Sequence, residues 1–315
     1  MRIVFCGSGD FGLPTLRHLA GGGVDIAAVV TQPPRRAGRG GKVRPTPVAV
    51  ACGELNLPVV AVENINDPAC VSDLAALGAD VIVVADFGQM IRAPARDTAP
   101  HGAINLHGSL LPALRGAAPV NWAIIRGLRE TGVTTFRLVD AMDAGPVFVR
   151  KAMPIDPSDT AADLRGKLSV LGVAAVTETL GMLAAGLADG DEQDHDQATL
   201  APLLKKSDGR IDFSADGETV RNRIHGTWPW PGGQARYVGP DGKAIDVILA
   251  RARLADGGDD AEPGAIGSDL SVATGRGRLE ILEIKPAGKR LMAWRDFANG
   301  HRAGPGARFT SPAPR

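Results

Sequence analysis

Short apolar runs alternate with helical stretches through the first half of the chain. The runs at 3–6, 26–30 and 80–85 contain almost no polar residues, which is typical of strands covered on both faces. Helical patterns lie between and after them, up to about Ala20 and at 67–77, 120–126 and 159–185. This alternation predicts a mostly parallel sheet with helices on both faces.

A strand that ends in polar residues stands in the middle of this half. Residues 103–107 read Ala-Ile-Asn-Leu-His, and Asn105 and His107 share a face because residues two apart in a strand project together. An amide beside an imidazole at a strand end is a candidate reactive pair, and the alternative is two solvated polar residues. Ligands of such sheets bind beyond the carboxyl ends of the strands, so we expect one edge to gather the loops at Asp86, 105–112 and 140–145.

The pattern changes in the second half. Residues 187–206 are polar and acidic at their start, which predicts a linker in which His195 is solvated. Short strand-like segments punctuated by glycine follow at 234–238, 244–254, 265–266, 270–274 and 279–284. Such a series predicts a small β-barrel of the kind that binds oligonucleotides. We therefore expect domains at 1–186 and 207–315.

Charge is balanced overall but unevenly distributed. The chain has 35 basic and 35 acidic residues, whereas the stretch from Ser271 onward has nine basic and three acidic ones. This asymmetry is typical of a protein in which one domain faces nucleic acid. Three cysteines without a CxxC pattern predict reduced thiols in a cytoplasmic protein. The sequence shows no signal peptide, no run expected to span a membrane and no metal-ligand spacing.

A basic segment between Thr31 and Cys52 contains no acidic residue. Its prolines and glycines predict a flexible loop rather than a helix. Its positive charges favour contact with phosphate backbones over a merely solvated surface. These charges belong to Arg35, Arg36, Arg39, Lys42 and Arg44.

A glycine-rich turn, Gly-Ser-Gly-Asp-Phe-Gly at 7–12, follows the first strand and precedes a helix. Formally it is the GxGxxG pattern of dinucleotide sites. The second strand lacks the acidic residue that an NAD site needs, but Arg35 and Arg36 would suit the 2′-phosphate of NADP. The alternative is that the glycines only permit a tight turn and a closely packed helix.

Several motifs occur in order along the chain. They are Thr31-Gln32-Pro33, the segment 105–112 (Asn-Leu-His-Gly-Ser-Leu-Leu-Pro), Arg115–Pro119, Met142–Gly145, Pro229-Trp230-Pro231 and the segment 285–302. This set resembles the methionyl-tRNA formyltransferases, a family that uses 10-formyltetrahydrofolate, and the resemblance runs from Met1 to about Phe309. The catalytic motifs are shared by the wider formyltransferase family and therefore do not identify the acceptor. The basic loop and the C-terminal segment are what indicate initiator tRNA as the acceptor.

The resemblance implies an α/β fold with an N-terminal Rossmann-like domain and a C-terminal barrel of the oligonucleotide-binding kind. It implies metal-free transfer of the formyl group of 10-formyltetrahydrofolate to methionyl initiator tRNA, for translation initiation. It also implies that the glycine-rich turn is not a nicotinamide site. The lack of a heptad pattern or a long apolar face favours a monomer, with no membrane partner.

Site residues are implied in the same way. The catalytic residues would be Asn105, His107 and Asp143, with Asn105 donating to the oxyanion and the other two moving protons in an order that the sequence leaves open. The folate contacts would be Phe87, Gly88, Ser109, Leu110, Leu111 and Pro112. The tRNA contacts would be Arg35, Arg36, Arg39, Lys42, Lys289 and Arg290. The chain departs from the family at Pro34, at Ala113-Leu114 and at Asp86-Phe87-Gly88, where Ala-Tyr-Gly is usual.

Three other functions remain open from the sequence. A sugar-nucleotide formyltransferase would use the same catalytic residues and folate, although the basic C-terminal segments argue against it. An NADP-dependent dehydrogenase is supported only by the glycine-rich turn with Arg35 and Arg36. A non-catalytic RNA-binding protein would leave Asn105, His107 and Asp143 without a role.

Overall fold

The structure is a computed structural model that describes residues 1–37, 41–187, 189–258 and 261–312. The chain divides into two compact units. The first contains Met1–Gly116, Thr131–Met153 and Arg165–Ala201, and the second contains Ala117–Glu130, Pro154–Leu164 and Pro202–Arg315. Two short segments of the first half thus group with the second unit, and the domain boundaries expected from the sequence remain a proposal.

Nine strands occur before residue 160 in the described part of the chain. They are β1 (Arg2–Gly7), β2 (Asp25–Thr31), β3 (Arg35–Ala37), β4 (Lys42–Arg44), β5 (Val59–Ala61), β6 (Val81–Ala85), β7 (Ala103–His107), β8 (Glu130–Arg137) and β9 (Val147–Pro154). Seven of them form one sheet in the order β5-β2-β1-β6-β7-β8-β9. The first five in this order pair in parallel, and β8 is antiparallel to β7. The predicted mostly parallel sheet is confirmed.

Six helices accompany these strands in the described part of the chain. They are α1 (Leu13–Gly21), α2 (Pro47–Leu55), α3 (Pro68–Ala76), α4 (Ala93–Arg96), α5 (Pro119–Ile125) and α6 (Ala161–Ala184). By length and composition alone, α6 could cross a membrane. However, a Cβ added at Gly172 would lie 2.5 Å from the Leu106 side chain of β7, and the hydroxyl oxygens of Thr179 and Thr135 are 2.6 Å apart. These contacts show that α6 packs against the sheet.

The basic segment is not the flexible loop that its composition predicts. β3 and β4 pair as an antiparallel hairpin, with Arg35 opposite Arg44. The helix α2 then begins at Pro47, and Oγ1 of Thr46 accepts a hydrogen bond from the backbone N–H of Ala49 at 3.1 Å. A threonine cap followed by proline is a helix-start signal. Interpreting these prolines only as breakers was wrong.

The second unit contains a six-stranded antiparallel sheet. Besides α5, which lies in its segment Ala117–Glu130, its helices and strands after residue 202 are α7 (Gly217–Thr227), β10 (Gly233–Val238), β11 (Ala244–Ala255), β12 (Val272–Ala273), β13 (Arg278–Pro286), β14 (Met292–Ala293), α8 (Trp294–His301) and β15 (Arg308–Thr310). The main path is β12-β13-β11-β10-β15, and β14 pairs with β13. Ala265 bridges Arg308 of β15 and Ile266 bridges Val272 of β12, so the two edges are linked and the sheet nearly closes. The predicted barrel is confirmed.

We expect the second unit to lose stability in acid through His225 of α7. This residue is buried, and its Nε2 accepts the backbone N–H of Ala252 at 3.0 Å. Burial, together with the charges of Arg221 and Arg251, lowers the pKa of His225 from 6.5 to about 4. Protonation is therefore easier in the unfolded chain. The free energy of unfolding should fall by about 3 kcal/mol as the pH drops from about 6.5 to about 4.

Urea unfolding across this pH range measures the effect. A His225→Gln variant retains an oxygen acceptor and does not titrate, so its stability should depend less steeply on pH in this window. Equal slopes for the variant and the unaltered chain would contradict the assignment to His225.

Candidate active site

His107 and Asp143 lie close together in the first unit. His107 ends β7 and is 6% exposed, and its Nδ1 lies 3.7 Å from Oδ2 of Asp143. Its Nε2 lies 3.0 Å from the carbonyl oxygen of Leu114. Each ring nitrogen thus faces an oxygen acceptor, and only the imidazolium form carries hydrogens on both nitrogens. The structure therefore brings together two of the three predicted catalytic residues and directs both imidazole nitrogens at oxygens of the chain itself.

The carboxylate of Asp143 is held in a defined position. Asp143 has a φ of 50°, in the left-handed region that Asp tolerates better than most residues. Its Oδ2 accepts the backbone N–H of Gly116 at 2.8 Å. Its side chain is 14% exposed. The same oxygen therefore faces both His107 and the Gly116 amide.

Asn105 lies two residues before His107 on the same face of β7. It is half-buried, and its side-chain amide makes no hydrogen bond with any residue in the described ranges. Its N–H₂ group is not fully buried, so it can donate to water or to a ligand oxygen. Asn105 is therefore available as a donor to a ligand.

The loop after β7 is fixed by hydrogen bonds to its backbone. Oγ1 of Thr134 donates to the carbonyl oxygen of Ser109 at 2.6 Å and accepts the N–H of Leu111 at 3.1 Å. Nε of Arg150 donates to the Leu111 carbonyl oxygen at 2.8 Å. Oγ of Ser109 donates to the carbonyl oxygen of Ala113 at 2.6 Å. These contacts preset the conformation of the whole loop.

The four predicted folate residues in this loop differ in accessibility. Ser109 and Leu111 are each 1% exposed, and Leu111 packs with Phe136 in a small core. Leu110 and Pro112 are half-buried. A ligand at this edge would meet Leu110, Pro112 and the loop backbone, whereas the Ser109 and Leu111 side chains support the loop from within.

Phe87 and Gly88 form a turn after β6. The Phe87 ring is buried in a core of the first unit. Its carbonyl oxygen accepts from Oγ of Ser8 at 3.0 Å and from Nε2 of Gln32 at 2.8 Å. Gly88 has a φ of 76°, and a Cβ there would lie 2.5 Å from Nε2 of Gln32. The buried Phe87 ring anchors this turn, and Gly88 is exposed.

The glycine-rich turn packs against an acidic group. A Cβ at Gly9 would lie 1.7 Å from Oδ2 of Asp86. Asp86 pairs with Arg165, which also binds Oδ1 of Asp10 at 2.9 Å. Burial raises the pKa of Asp86, and the Arg165 charge opposes that rise. Two carboxylates beside the turn disfavour a pyrophosphate group, and the glycines are explained by close packing.

Replacement of Gly9 by Ala is expected to destabilise the first unit, because the new methyl group overlaps the Asp86 carboxylate and separates it from Arg165. We expect a loss of about 1–3 kcal/mol in the free energy of unfolding. The Gly9→Ala/Asp86→Ala double variant removes the overlapping group, so it should be more stable than the sum of the two single losses predicts. Denaturant unfolding measures this, and simple additivity would show that Asp86 does not constrain Gly9.

Gln193, in the segment predicted to be a linker, forms hydrogen bonds to the loop that carries Asp143. Gln193 is 5% exposed, and its Nε2 donates to the carbonyl oxygens of Asp143 at 2.9 Å and Gly145 at 2.7 Å. Its Oε1 accepts from Nη2 of Arg115 at 2.6 Å. Nη2 of Arg115 also lies 2.9 Å from Nδ1 of His195, which is exposed. No pattern in the sequence marks Gln193, because it stands in a polar stretch without periodicity.

The predicted tRNA-binding residues lie in both units. Arg35, Arg36 and Lys42 are exposed on the β3–β4 hairpin, and Lys289 and Arg290 are exposed in the turn between β13 and β14. Arg39 lies outside the described residues. Arg35 and Arg44 line a groove of about 660 Å³ beside α1 and α2. Like charges directly opposite in a hairpin repel, so the hairpin suits an anionic partner.

All three cysteines are free thiols, and Cys6 and Cys52 are buried. Burial raises the pKa of the thiols of Cys6, Cys52 and Cys70, which keeps them protonated and unreactive at neutral pH. Among the residues that the structure describes, no three His, Cys, Asp or Glu side chains are grouped so that they could hold a metal ion.

Comparison with known proteins identifies two regions of the chain. Residues 1–180 match the family described as "Formyl transferase", and residues 203–302 match "Formyl transferase, C-terminal domain". A methionyl-tRNA formyltransferase of Solibacter usitatus is 40% identical over 304 residues, which cover 96% of each chain. One of Geobacter sulfurreducens is 39% identical over 313 residues, 98% of this chain and 96% of the relative.

Solved structures share the fold at much lower identity. An N-formyltransferase of Helicobacter canadensis, in complex with folinic acid and dTDP-3-aminofucose, superposes with a TM-score of 0.66 at 13% identity and covers 91% of this chain and 98% of its own. HypX of Aquifex aeolicus, in complex with tetrahydrofolic acid, has a TM-score of 0.64 at 17% identity and covers 96% of this chain and 48% of its own. With both domains matched and curated relatives near 40% identity along almost its whole length, the chain belongs to the formyl transferase family, within the group of the methionyl-tRNA formyltransferases.

Proposed function

We propose that this chain transfers the formyl group of 10-formyltetrahydrofolate to the α-amine of methionyl initiator tRNA, for translation initiation. The observation that carries this proposal is the identity of about 40% to methionyl-tRNA formyltransferases across both domains. The sugar N-formyltransferases among the solved structures share only 13–15% identity with this chain, so they indicate its fold but not its acceptor.

The reaction forms a bond between the amine nitrogen and the formyl carbon and breaks the bond from that carbon to N10 of the folate. The formyl oxygen becomes an oxyanion on the way, and the unpartnered amide of Asn105 is assigned to donate to it. The amine loses a proton and N10 gains one. Asp143 is assigned both transfers, accepting the amine proton as a carboxylate and returning it to N10 as a carboxylic acid.

His107 is assigned a supporting role. Its Nε2 is held by the Leu114 carbonyl oxygen and its Nδ1 faces Asp143. An imidazolium in this position balances the Asp143 charge and orients the carboxylate. Direct action of His107 on the folate would require it to leave Leu114.

The folate donor is assigned to the edge formed by the turn at Phe87-Gly88 and the loop Ser109–Pro112. In this assignment Leu110, Pro112 and the backbone of Gly88 contact the donor, while Phe87, Ser109 and Leu111 hold that backbone in place. What supports it is the preset loop conformation beside the free amide of Asn105. The donor supplies only the formyl group, and no step of this scheme needs a metal.

RNA contacts are assigned to the basic hairpin and to Lys289 and Arg290 in the second unit. Opposed arginines in a segment whose sequence contains no acidic residue favour a phosphate backbone. We place the chain in the cytoplasm as a monomer that binds no membrane, the compartment where reduced thiols persist.

Loss of Arg39 is expected to weaken productive tRNA binding more than folate binding, because Arg39 belongs to the basic sequence segment that is assigned to RNA phosphates. An Arg39→Ala variant should raise the KM for methionyl initiator tRNA several-fold and reduce its salt dependence, with the KM for folate unchanged. Arg2→Ala is the matched control, since Arg2 begins β1 and pairs with Asp25 at the opposite end of the strand from the site. A defect confined to folate would contradict this role.

A single assay tests the proposed function. The protein is incubated with 10-formyltetrahydrofolate and either methionyl initiator tRNA or an amino-sugar nucleotide, and formyl transfer is followed. We expect transfer to the tRNA only. Transfer to the sugar alone would identify a sugar-nucleotide formyltransferase, and RNA binding without any transfer would identify a non-catalytic RNA-binding protein.

A further inference from the structure

Two structural elements set the position of the Asp143 carboxylate. One is the backbone of its own loop, where Gly145 lies so close to β8 that a Cβ would be 1.9 Å from the carbonyl oxygen of Arg137. The other is the N–H of Gly116, which donates to Oδ2 of Asp143. The two elements are far apart along the chain. The carboxylate can face His107 only if a further contact fixes the Asp143 loop relative to Gly116.

The segment predicted as a linker supplies this connection. Asp191 and Val147 exchange two backbone hydrogen bonds of 2.8 Å, which place the segment alongside the start of β9. Farther on, the N–H of Arg115 donates to the Thr199 carbonyl oxygen at 2.8 Å, and the Arg115 carbonyl oxygen accepts from Ala201 at 2.7 Å. The segment therefore pairs with β9 on one side and with the chain next to Gly116 on the other.

The side chain of Gln193 joins the two sides. Its amide N–H₂ group is used by the carbonyl oxygens of Asp143 and Gly145, and its oxygen accepts from Arg115, the residue before Gly116. An amide is the one side-chain group that offers two donors and an acceptor without a charge. Removal of a buried group with all these hydrogen bonds leaves its partners without a donor or acceptor, which costs free energy and favours their displacement.

We propose that Gln193 is a positioning residue for formyl transfer, which holds the Asp143 carboxylate at its working distance from His107 and the amine. The inference rests on the proposed function, because it assumes that Asp143 moves the proton. Displacement of a reacting group by about 1 Å can cost about 100-fold in rate. Gln193 touches neither substrate in this assignment, so its removal should lower kcat and leave the KM values in place.

Three variants separate this role from a structural one. Gln193→Glu is nearly isosteric and keeps the acceptor for Arg115, but it loses both donors and sets a carboxylate against two carbonyl oxygens. Gln193→Leu loses donors and acceptor together. Gln197→Leu is the matched control, because Gln197 lies in the same segment but is exposed and bonds only to Asp194 among described residues.

We expect kcat to fall by about 10- to 100-fold in both Gln193 variants, with the KM for folate and for methionyl initiator tRNA within about twofold and Gln197→Leu unchanged. In an Asp143→Asn background, Gln193→Leu should change the single-turnover rate by less than about twofold, since residues that act as a unit are not additive. A purely structural role would multiply the two losses instead.

Three results would overturn the proposal. They are a kcat within twofold of the unaltered chain in either Gln193 variant, a rise in KM with kcat unchanged, and a full Gln193→Leu loss in the Asp143→Asn background. Failure of the proposed function is distinguishable from these, because the unaltered chain would then transfer no formyl group to tRNA at all. An active unaltered chain, an inactive Asp143→Asn variant and a normal Gln193→Glu variant would reject the role of Gln193 alone.

Discussion

Replacement of Asp143 by Asn is expected to abolish most formyl transfer while the protein stays folded. The asparagine oxygen can still accept the N–H of Gly116, so the loop should keep its conformation. The amide cannot take a proton from the amine or balance an imidazolium at His107. General base catalysis contributes about 10²- to 10⁴-fold in rate, and we expect a loss in kcat within that range.

Single-turnover transfer to methionyl initiator tRNA measures the loss, and folate binding and thermal unfolding report on folding. Asp140→Asn is the matched control, because Asp140 is three residues away with an 81% exposed side chain paired to Arg96. Full activity of Asp143→Asn would refute both the proton transfer and the pairing with His107.

Asn105→Ala should give the second large effect. Removal of one oxyanion donor costs about 10²- to 10³-fold in kcat, and Asn105 has no competing partner among the described residues. Because this hydrogen bond strengthens only as charge develops on the formyl oxygen, folate binding should change little. The Asn105→Asp variant keeps the shape of the side chain but has no N–H₂ donor, so it should be at least as inactive as Asn105→Ala.

Pre-steady-state transfer rates together with folate titration test this prediction. If Asn105 served mainly to bind the ground state, the KM for folate would rise with kcat unchanged. Unchanged turnover in both variants would remove Asn105 from the site.

Most strands of the first sheet were predictable because buried strands are apolar in sequence, but β9, whose second half is partly exposed, was not predicted. Continuous apolar runs such as 80–85 can be buried only if both faces are covered, and glycine-punctuated alternation in the second half indicated a barrel. Helix α2 and the β3–β4 hairpin were not predicted. Their prolines and charges resemble those of a loop, and the helix start at Thr46-Pro47 is visible only when the cap is recognised.

The hydrogen bonds that hold the loops of the site were not predictable from local sequence pattern. Gln193, Thr134 and Arg150 act through hydrogen bonds to backbone atoms of loops distant in sequence, and a hydrogen bond to a backbone atom places no constraint on the type of residue it reaches.

From the sequence alone came the alternation of strands and helices in the first half, the two-domain organisation of the family and the chemical groups at the carboxyl edge of the sheet, because periodicity and motif order are properties of the chain. The tertiary structure decided which oxygens face the two nitrogens of His107 and which residue holds Asp143. Those contacts join loops that only the packed sheet brings within hydrogen-bond distance, where a displacement of an ångström separates a bonded group from an unbonded one.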